Sequence, residues 1–295
     1  MNKPYIEFRK NSDFSNILSD TFGFIRNEFK PLMRTIINIA GPAILVYLLA
    51  LSVYNYVASD IFIFSNFREP SFNSGSVFAT FMALILYFIS GIAAYILFVS
   101  SVLHYIKSYV NNKGIVEFSE VKSEVYKSFW SFFGLGFLKG ITIGIALLLC
   151  LLPALYFMVP MAVIYSIYVF EKRTSVTDAY SKSFSLVNAD FWTAWGSILV
   201  LGIIYFVVIY VFAIFSSIYT MAGTGILSGE VDPADFGELG RDPVLMLLSI
   251  IQTIVQLFLN LISIVGGATI YFHLHEKTTF TGTYERISEI GKTED

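Results

Sequence analysis

The sequence predicts an all-α membrane protein with six transmembrane helices and amphipathic helices at the cytoplasmic interface. Three observations carry that expectation: a charged fraction too small for a water-covered surface, five long stretches without a charge, and a one-sided distribution of cations between them. Of 295 residues, 56% are hydrophobic, 17% aromatic and 14% charged, with a mean hydropathy of +0.69. Soluble domains carry about 25% charged residues, so a soluble single domain is excluded. The net charge of -3, from 19 Lys+Arg and 22 Asp+Glu, supplies no basic field for nucleic acid. The single cysteine, Cys150, sits in an apolar run with no intrachain partner.

Residues 35–59, 70–103, 140–170, 191–229 and 243–272 contain no Asp, Glu, Lys or Arg. Each exceeds the ~20 residues, rising ~1.5 Å apiece, that a helix needs to cross a ~30 Å hydrocarbon core. The first begins after a charged and polar segment and has no small-residue cleavage pattern, so it reads as a span, with Met1 as the expected start of the mature chain. The stretch 140–170 is too long for one span and short for two. A hairpin starting near Phe129 gives two spans of about 20 residues, with a tight turn near Pro153, and takes Lys139 into the membrane.

Cation placement favours that hairpin, because cytoplasmic flanks hold an excess of Lys and Arg. With six spans, sixteen cations fall on the side of both termini, against Arg68 and Arg241 on the other. A single span there would move Lys172, Arg173 and Lys182 outside and degrade the bias. The expected spans are 35–57, 77–103, 129–151, 154–171, 191–215 and 244–271, between a cytoplasmic amphipathic segment 1–34 and a cytoplasmic tail 276–295, in a membrane domain of 35–275. The outer face holds Asp60, Glu69, Glu230, Asp232, Asp235, Glu238 and Asp242, with a Gly-rich loop 222–241 as its largest feature.

Helical periodicity marks the cytoplasmic segments as more than linkers. Phe14, Ile17, Leu18, Thr21, Phe22, Ile25 and Phe29 form one stripe. Val121, Val125, Phe129 and Trp130 form a second, after a Ser119 cap. Ser175 and Asp178 make a capping box that opens a third, with Val176, Ala179, Tyr180, Ser183, Phe184 and Val187 on its apolar face. Each stripe ends in aromatics where the next span begins, as interfacial anchors do, and the three read as helix-plus-hairpin units. Such a helix attached to a span is expected to bury its apolar face among acyl chains.

The segment Pro153 to Trp192 has a distinctive pattern. An apolar span with Pro153 and Pro160 leads to Val169, Phe170, Glu171 and Lys172. Then come Ser175, Ala179 and Ser183 on a short helix, and Phe191 and Trp192 open the next span. It resembles the bacterial membrane domain attached to some glycerophosphoryl diester phosphodiesterases, and related stand-alone polytopic proteins. The helix from Asp13 and Phe14 to Pro31 and the tail from Tyr284 to Gly291 are similar to stand-alone members of that group. The resemblance covers about a third of the chain and implies a six-helix membrane module. It imports no phosphodiesterase chemistry, which belongs to a separate soluble barrel, and no catalytic residue carries over.

Apart from Glu171 at the last position of the fourth, the expected spans contain no Asp or Glu, the usual marks of proton relays, ion coupling and intramembrane aspartyl chemistry. No metalloprotease, phosphate-loop or nucleophile-elbow motif is present, and neither catalysis nor a cofactor is expected. His104, His273 and His275 fall at the cytoplasmic edge, where helices could bring two together. Interfacial side chains are the plainer reading, since a metal asks for three or four ligands and residues 273 and 275 point to nearly opposite sides of a helix. Lys139 either contacts an anionic headgroup or snorkels to the inner interface. Gly136, Gly140 and Gly144, with Gly134 beside them, suit close helix packing.

In span six, Gln252, Gln256, Asn260, Ser263 and Gly267 share a face that Ser249 and Thr253 extend. Amides in hydrocarbon need hydrogen bonds, so this face is expected to point into the bundle or a wet cavity. It serves as interhelical glue, with Asn38 a plausible partner, or lines a polar groove or headgroup site. Two functions follow: a non-catalytic bacterial inner-membrane scaffold or inner-leaflet module, or a transporter or lipid-handling protein using the span-six face. The implied partners are membrane lipids, other membrane proteins or a second copy, and no nucleic acid.

Overall fold

The computed structural model describes residues 5–58, 74–149, 151–171, 174–227, 229, 241–280, 284 and 287. Among the described residues every regular element is a helix: α1 (Phe14–Ala58), α2 (Ser74–Asn111), α3 (Phe118–Leu149), α4 (Leu151–Phe170), α5 (Val176–Val187), α6 (Phe191–Gly223) and α7 (Pro243–Thr279). All but α5 are long and apolar enough to cross a membrane. With six such helices among the described residues, the chain is a multi-pass membrane protein. Lys3, Cys150, Lys172, Arg173, Arg286, Lys292 and the residues expected on the outer face, Asp60, Arg68, Glu69, Glu230, Asp232, Asp235 and Glu238, lie outside the described residues. So does most of the loop 222–241 and of the tail 276–295.

Side-chain caps set where the helices start. Asp13 accepts the Asn16 N–H at 3.0 Å to open α1. Ser175 and Asp178 form the expected reciprocal box at α5. Asp242 accepts from the backbones of Val244 and Leu245 at 2.6 and 3.1 Å, and Pro243 at the first position of α7 needs no donor. Hydrogen bonds from Leu245, Tyr219 and Val244 outweigh the effect of burial and hold the Asp242 carboxyl below its usual range. Thus Asp242 caps a helix rather than standing as a free charge.

The helix boundaries differ from the expected spans in two respects. Residues 14–34 and the first span are one helix, α1, and the stripe at Val121–Trp130 is likewise continuous with its span in α3. Nothing between stripe and span in either copy recaps the backbone; Pro31 removes one amide donor, and the helix passes through it. Only the third unit stops and restarts, at Asn188, Ala189 and Asp190. Helix α3 is described to Leu149 and α4 from Leu151, and Pro153 sits in the first turn of α4, where a proline costs no hydrogen bond.

The chain divides into two compact units, Met1–Ile39, Ile96–Ile203 and Asn260–Asp295 in the first, Ala40–Tyr95 and Ile204–Leu259 in the second. Helices α3, α4 and α5 belong wholly to the first. Its core holds Phe24, Leu32, Tyr105, Phe132, Leu135 and Met161, all essentially inaccessible. In the second unit the Tyr87 ring is stacked between Tyr47 and Tyr54, at 5.4 and 5.5 Å. The missing side chain of Gly91 makes room for Tyr47, whose ring a Cβ would meet at 3.0 Å.

Each amphipathic stripe packs part of its width on protein, while Phe14, Phe22, Phe29 and Trp130 stay exposed. Ile17, Thr21 and Ile25 are buried. Val121 and Val125 form a cluster with Ile39, bordered by Leu97 and Val116. On α5, Val176 meets Gly134, the Tyr180 hydroxyl lies 3.0 Å from that of Thr142, and Phe184 lies edge-on to Phe157. A partner face within the protein removes the same apolar area from water as lipid would, at about 25 cal/mol per Å².

Candidate functional site

The polar groups of the first unit gather where α7 ends. Asp190, just before α6, accepts hydrogen bonds at one carboxylate oxygen, Oδ2, from Lys277 Nζ at 2.6 Å and from His273 at 3.3 Å. Its Oδ1 accepts the Thr193 N–H at 3.4 Å, capping α6. His273 Nδ1 accepts the Ser12 N–H at 3.1 Å, so its proton resides on Nε2 and points at Asp190. Burial by itself raises the Asp190 carboxyl, but bonds from Lys277, Thr193 and His273 hold it below the usual carboxylate range.

Ser12 belongs to a strap, residues 5–13, fastened along its length. Tyr5 stacks on Tyr109 at 5.3 Å and the Ile6 N–H donates to the Tyr109 hydroxyl. Phe8 is buried between Phe24 and Phe272, at 5.0 and 5.5 Å, and Lys10 pairs with Asp20 at 2.8 Å. Beneath it the Tyr105 hydroxyl donates to buried Glu28 at 2.7 Å. This carboxylate belongs to α1 itself, because the helix extends twenty-one residues before position 35.

Beside the Asp190 latch, the ends of α4 and α7 and one face of α5 enclose an open cavity of about 530 Å³. Phe170, Glu171, Lys182, Ser185, His275 and Thr279 are among its lining residues. Glu171 and Lys182 form an ion pair within its lining. The Thr279 hydroxyl donates to the His275 carbonyl at 2.8 Å and lies 3.1 Å from His275 Nδ1.

The residues singled out from sequence are dispersed. Lys139, half-buried in α3, holds its ammonium over the Tyr165 ring at 5.4 Å from the centroid, a cation–π contact. Gly136 accommodates the Tyr165 hydroxyl, 3.0 Å from where a Cβ would stand, whereas nothing lies within 4 Å of Gly140 or Gly144. The close approaches occur at Gly266, whose Cβ would meet Leu201, and Gly267, whose Cβ would meet the Ala162 carbonyl oxygen at 2.8 Å.

On α7, Gln252, Gln256 and Asn260 are half-buried and their side chains make no hydrogen bond among the described residues, while Ser263 is exposed. The buried face of the helix runs instead through Thr253, Leu259, Ile262 and Val265. Asn38 is exposed and is not bonded to this stripe. The stripe therefore flanks the packed face rather than pointing inward. The histidines are not brought together: His104 bonds Ser128 at 3.1 Å, His273 bonds Asp190, and His275 bonds Thr279.

Sequence reasoning missed Asp190, Glu28 and the Glu171–Lys182 pair. Asp190 carried a usable signal, an acidic residue immediately before a charge-free helix. No family model, curated protein or solved structure matches this chain. The resemblance to membrane domains attached to glycerophosphodiesterases rests on the sequence pattern alone.

Proposed function

We propose that this chain is a non-catalytic multi-pass protein of the bacterial plasma membrane, with both termini cytoplasmic, that engages the inner leaflet and serves as a scaffold for other membrane proteins or a second copy. The observation carrying this reading is the pair Trp130 and Trp192, each 76% exposed. Trp192 stands where a charge-bearing segment gives way to charge-free helix after Asp190, and Trp130 where one gives way after Lys127 to apolar helix interrupted by Lys139. Indole rings favour that boundary, apolar body toward the chains and N–H toward water. The sixteen cations on the same side support a cytoplasmic assignment.

Trp fluorescence quenching by lipids brominated near the headgroup or near the chain end tests the anchors, since Trp130 and Trp192 are two of only three tryptophans. Shallow bromines are expected to quench more; stronger quenching from the chain end sinks the anchor reading. Orientation is read in a Cys150→Ser background. Lys113→Cys is expected to resist an impermeant maleimide in intact cells while Arg241→Cys reacts, and the reverse pattern overturns the topology. A second reading, transport or lipid handling, is favoured by the unbonded amides Gln252, Gln256 and Asn260. It requires that Gln256→Leu and Asn260→Leu lose a ligand-dependent stabilisation that wild type shows.

A further inference from the structure

Helix α1 carries its three cations as a ladder. Arg26, Lys30 and Arg34 stand four residues apart on one face, all exposed, which puts about 6 Å of axis between neighbours and about 12 Å between the ends. None of the three forms an ion pair among the described residues. Four other cations, Lys10, Lys127, Lys182 and Lys277, each meet a carboxylate. The two acids of α1 are engaged away from the ladder: Asp20 pairs with Lys10 at 2.8 Å, and buried Glu28 accepts from the Tyr105 hydroxyl. Like charges four residues apart on a helix repel, and no acid of α1 shares this face.

The ladder ends where charge ends. Arg34 is followed at once by the charge-free stretch 35–59, on the same unbroken helix. A headgroup layer is about 5–7 Å deep on each side of the hydrocarbon, so it spans the distance from Arg34 to Lys30. Arg26 lies one turn further out, within the ~10 Å over which charges act at 0.1 M salt. The Phe29 ring, 41% exposed, stands in the same turn as Lys30. An apolar ring among cations suits a leaflet, which offers acyl chains beneath its phosphates, and has no counterpart on an acidic protein surface.

We propose that Arg26, Lys30 and Arg34 form a binding site for the phosphates of anionic phospholipids. Each guanidinium takes two oxygens of a phosphate and Lys30 a single one. The site rests on the inner-leaflet reading above and gives it a lipid class: anionic rather than zwitterionic headgroups, because a choline or ethanolamine group would bring a cation back against the ladder.

Native mass spectrometry of the full chain in detergent tests the site, with phosphatidylglycerol and phosphatidylcholine of matched chains. Phosphatidylglycerol is expected to bind at least about tenfold more tightly, and the preference should shrink as ammonium acetate is raised. The triple variant R26Q/K30Q/R34Q should lose the preference. Its positions are exposed, so its unfolding midpoint with phosphatidylcholine should match wild type; K30Q alone, expected to lose part of the preference, serves if the triple variant does not fold. K122Q/K127Q removes exposed cations of α3 and should keep the preference. Equal binding of both lipids by wild type, a preference that survives the triple variant, or an equal loss with K122Q/K127Q overturns the proposal. So does binding of soluble polyglutamate without any preference for phosphatidylglycerol, the result an acidic protein partner would give. Detergent exposes both faces of the protein, so a reversed maleimide pattern in cells would sink the inner-leaflet reading without altering this result.

Discussion

Replacing Asp190 by alanine removes three interactions of different kinds at once. The α6 cap is worth about 1 kcal/mol. The ion pair with Lys277 joins partly exposed side chains, 18% and 41% accessible, and contributes at most about 1 kcal/mol. The larger loss falls on His273, whose side chain is only 2% exposed. Its Nε2–H is left without an acceptor at a cost of about 1–3 kcal/mol. The expected destabilisation is about 3 kcal/mol, a drop of several degrees in the thermal midpoint of the detergent-solubilised protein. Asp190→Asn keeps an acceptor for His273 and a competent cap, so it should lose about 1 kcal/mol or less.

The pH dependence has a definite sign. A carboxyl held below its ordinary value stabilises the folded state above the unfolded value near 4, and that contribution fades as pH falls through the folded value. The wild-type advantage over Asp190→Asn should thus be present at neutral pH and vanish in acid. Equal midpoints for Asp190→Ala and wild type, or an Asn variant as unstable as the Ala variant, would refute the assignment of His273 as the buried donor.

Phe8→Ala should release the strap, since truncating a buried Phe costs about 3–5 kcal/mol. Trypsin would then cut after Arg9 and Lys10 at least tenfold faster than in wild type, as followed by N-terminal mass analysis. Gly267→Ala should destabilise by about 1–3 kcal/mol, because its Cβ meets the backbone oxygen of Ala162. Gly266→Ala should cost less, its obstacle being the movable end of Leu201, and Gly140→Ala should be neutral; a common thermal midpoint for all three would contradict the packing. Ser175→Ala should weaken the first turn of α5 by about 1 kcal/mol, visible as faster amide exchange at residues 176–179 with α3 and α4 unaffected.

The six crossing helices were legible because the absence of charge over twenty-five or more residues is a long-range signal that few local exceptions can blur. A helix start was legible where a paired cap had side chains to show, as at Ser175 and Asp178, whereas the Asp242 cap of α7 was not read from the sequence. The continuity of α1 and α3 was not legible. An amphipathic stripe and an apolar span share the same 3.6-residue period, so composition changes along the helix without any change in backbone. The stripe was read as a separate element because its polarity differed, but polarity reports surroundings and not hydrogen bonding. Likewise the amide stripe of α7 was visible for its regularity, and its spacing located a face without revealing which neighbour that face would meet. Asp190 and His273 stand 83 positions apart, and Ser12 and His273 stand 261 apart; no local pattern joins them.

The destination of the amphipathic stripes bears on how such a protein could touch a leaflet. A stripe left bare would bind lipid by apolar area, along the whole length of a helix lying in the interface. Here Ile17, Val125, Ala179 and their neighbours are covered by protein, so that area is already removed from water. What the stripes leave exposed at the boundary is discrete: the rings of Phe14, Phe22, Phe29, Trp130 and Trp192. Ring contacts of that kind, with indole N–H groups among them, depend more on the polar boundary than on acyl length. Varying headgroups at constant chain length should therefore move this protein's stability more than varying chain length at constant headgroup. Thermal midpoints in matched lipid nanodiscs measure both series, and a larger response to chain length would mean that the covered stripes are not covered in the membrane.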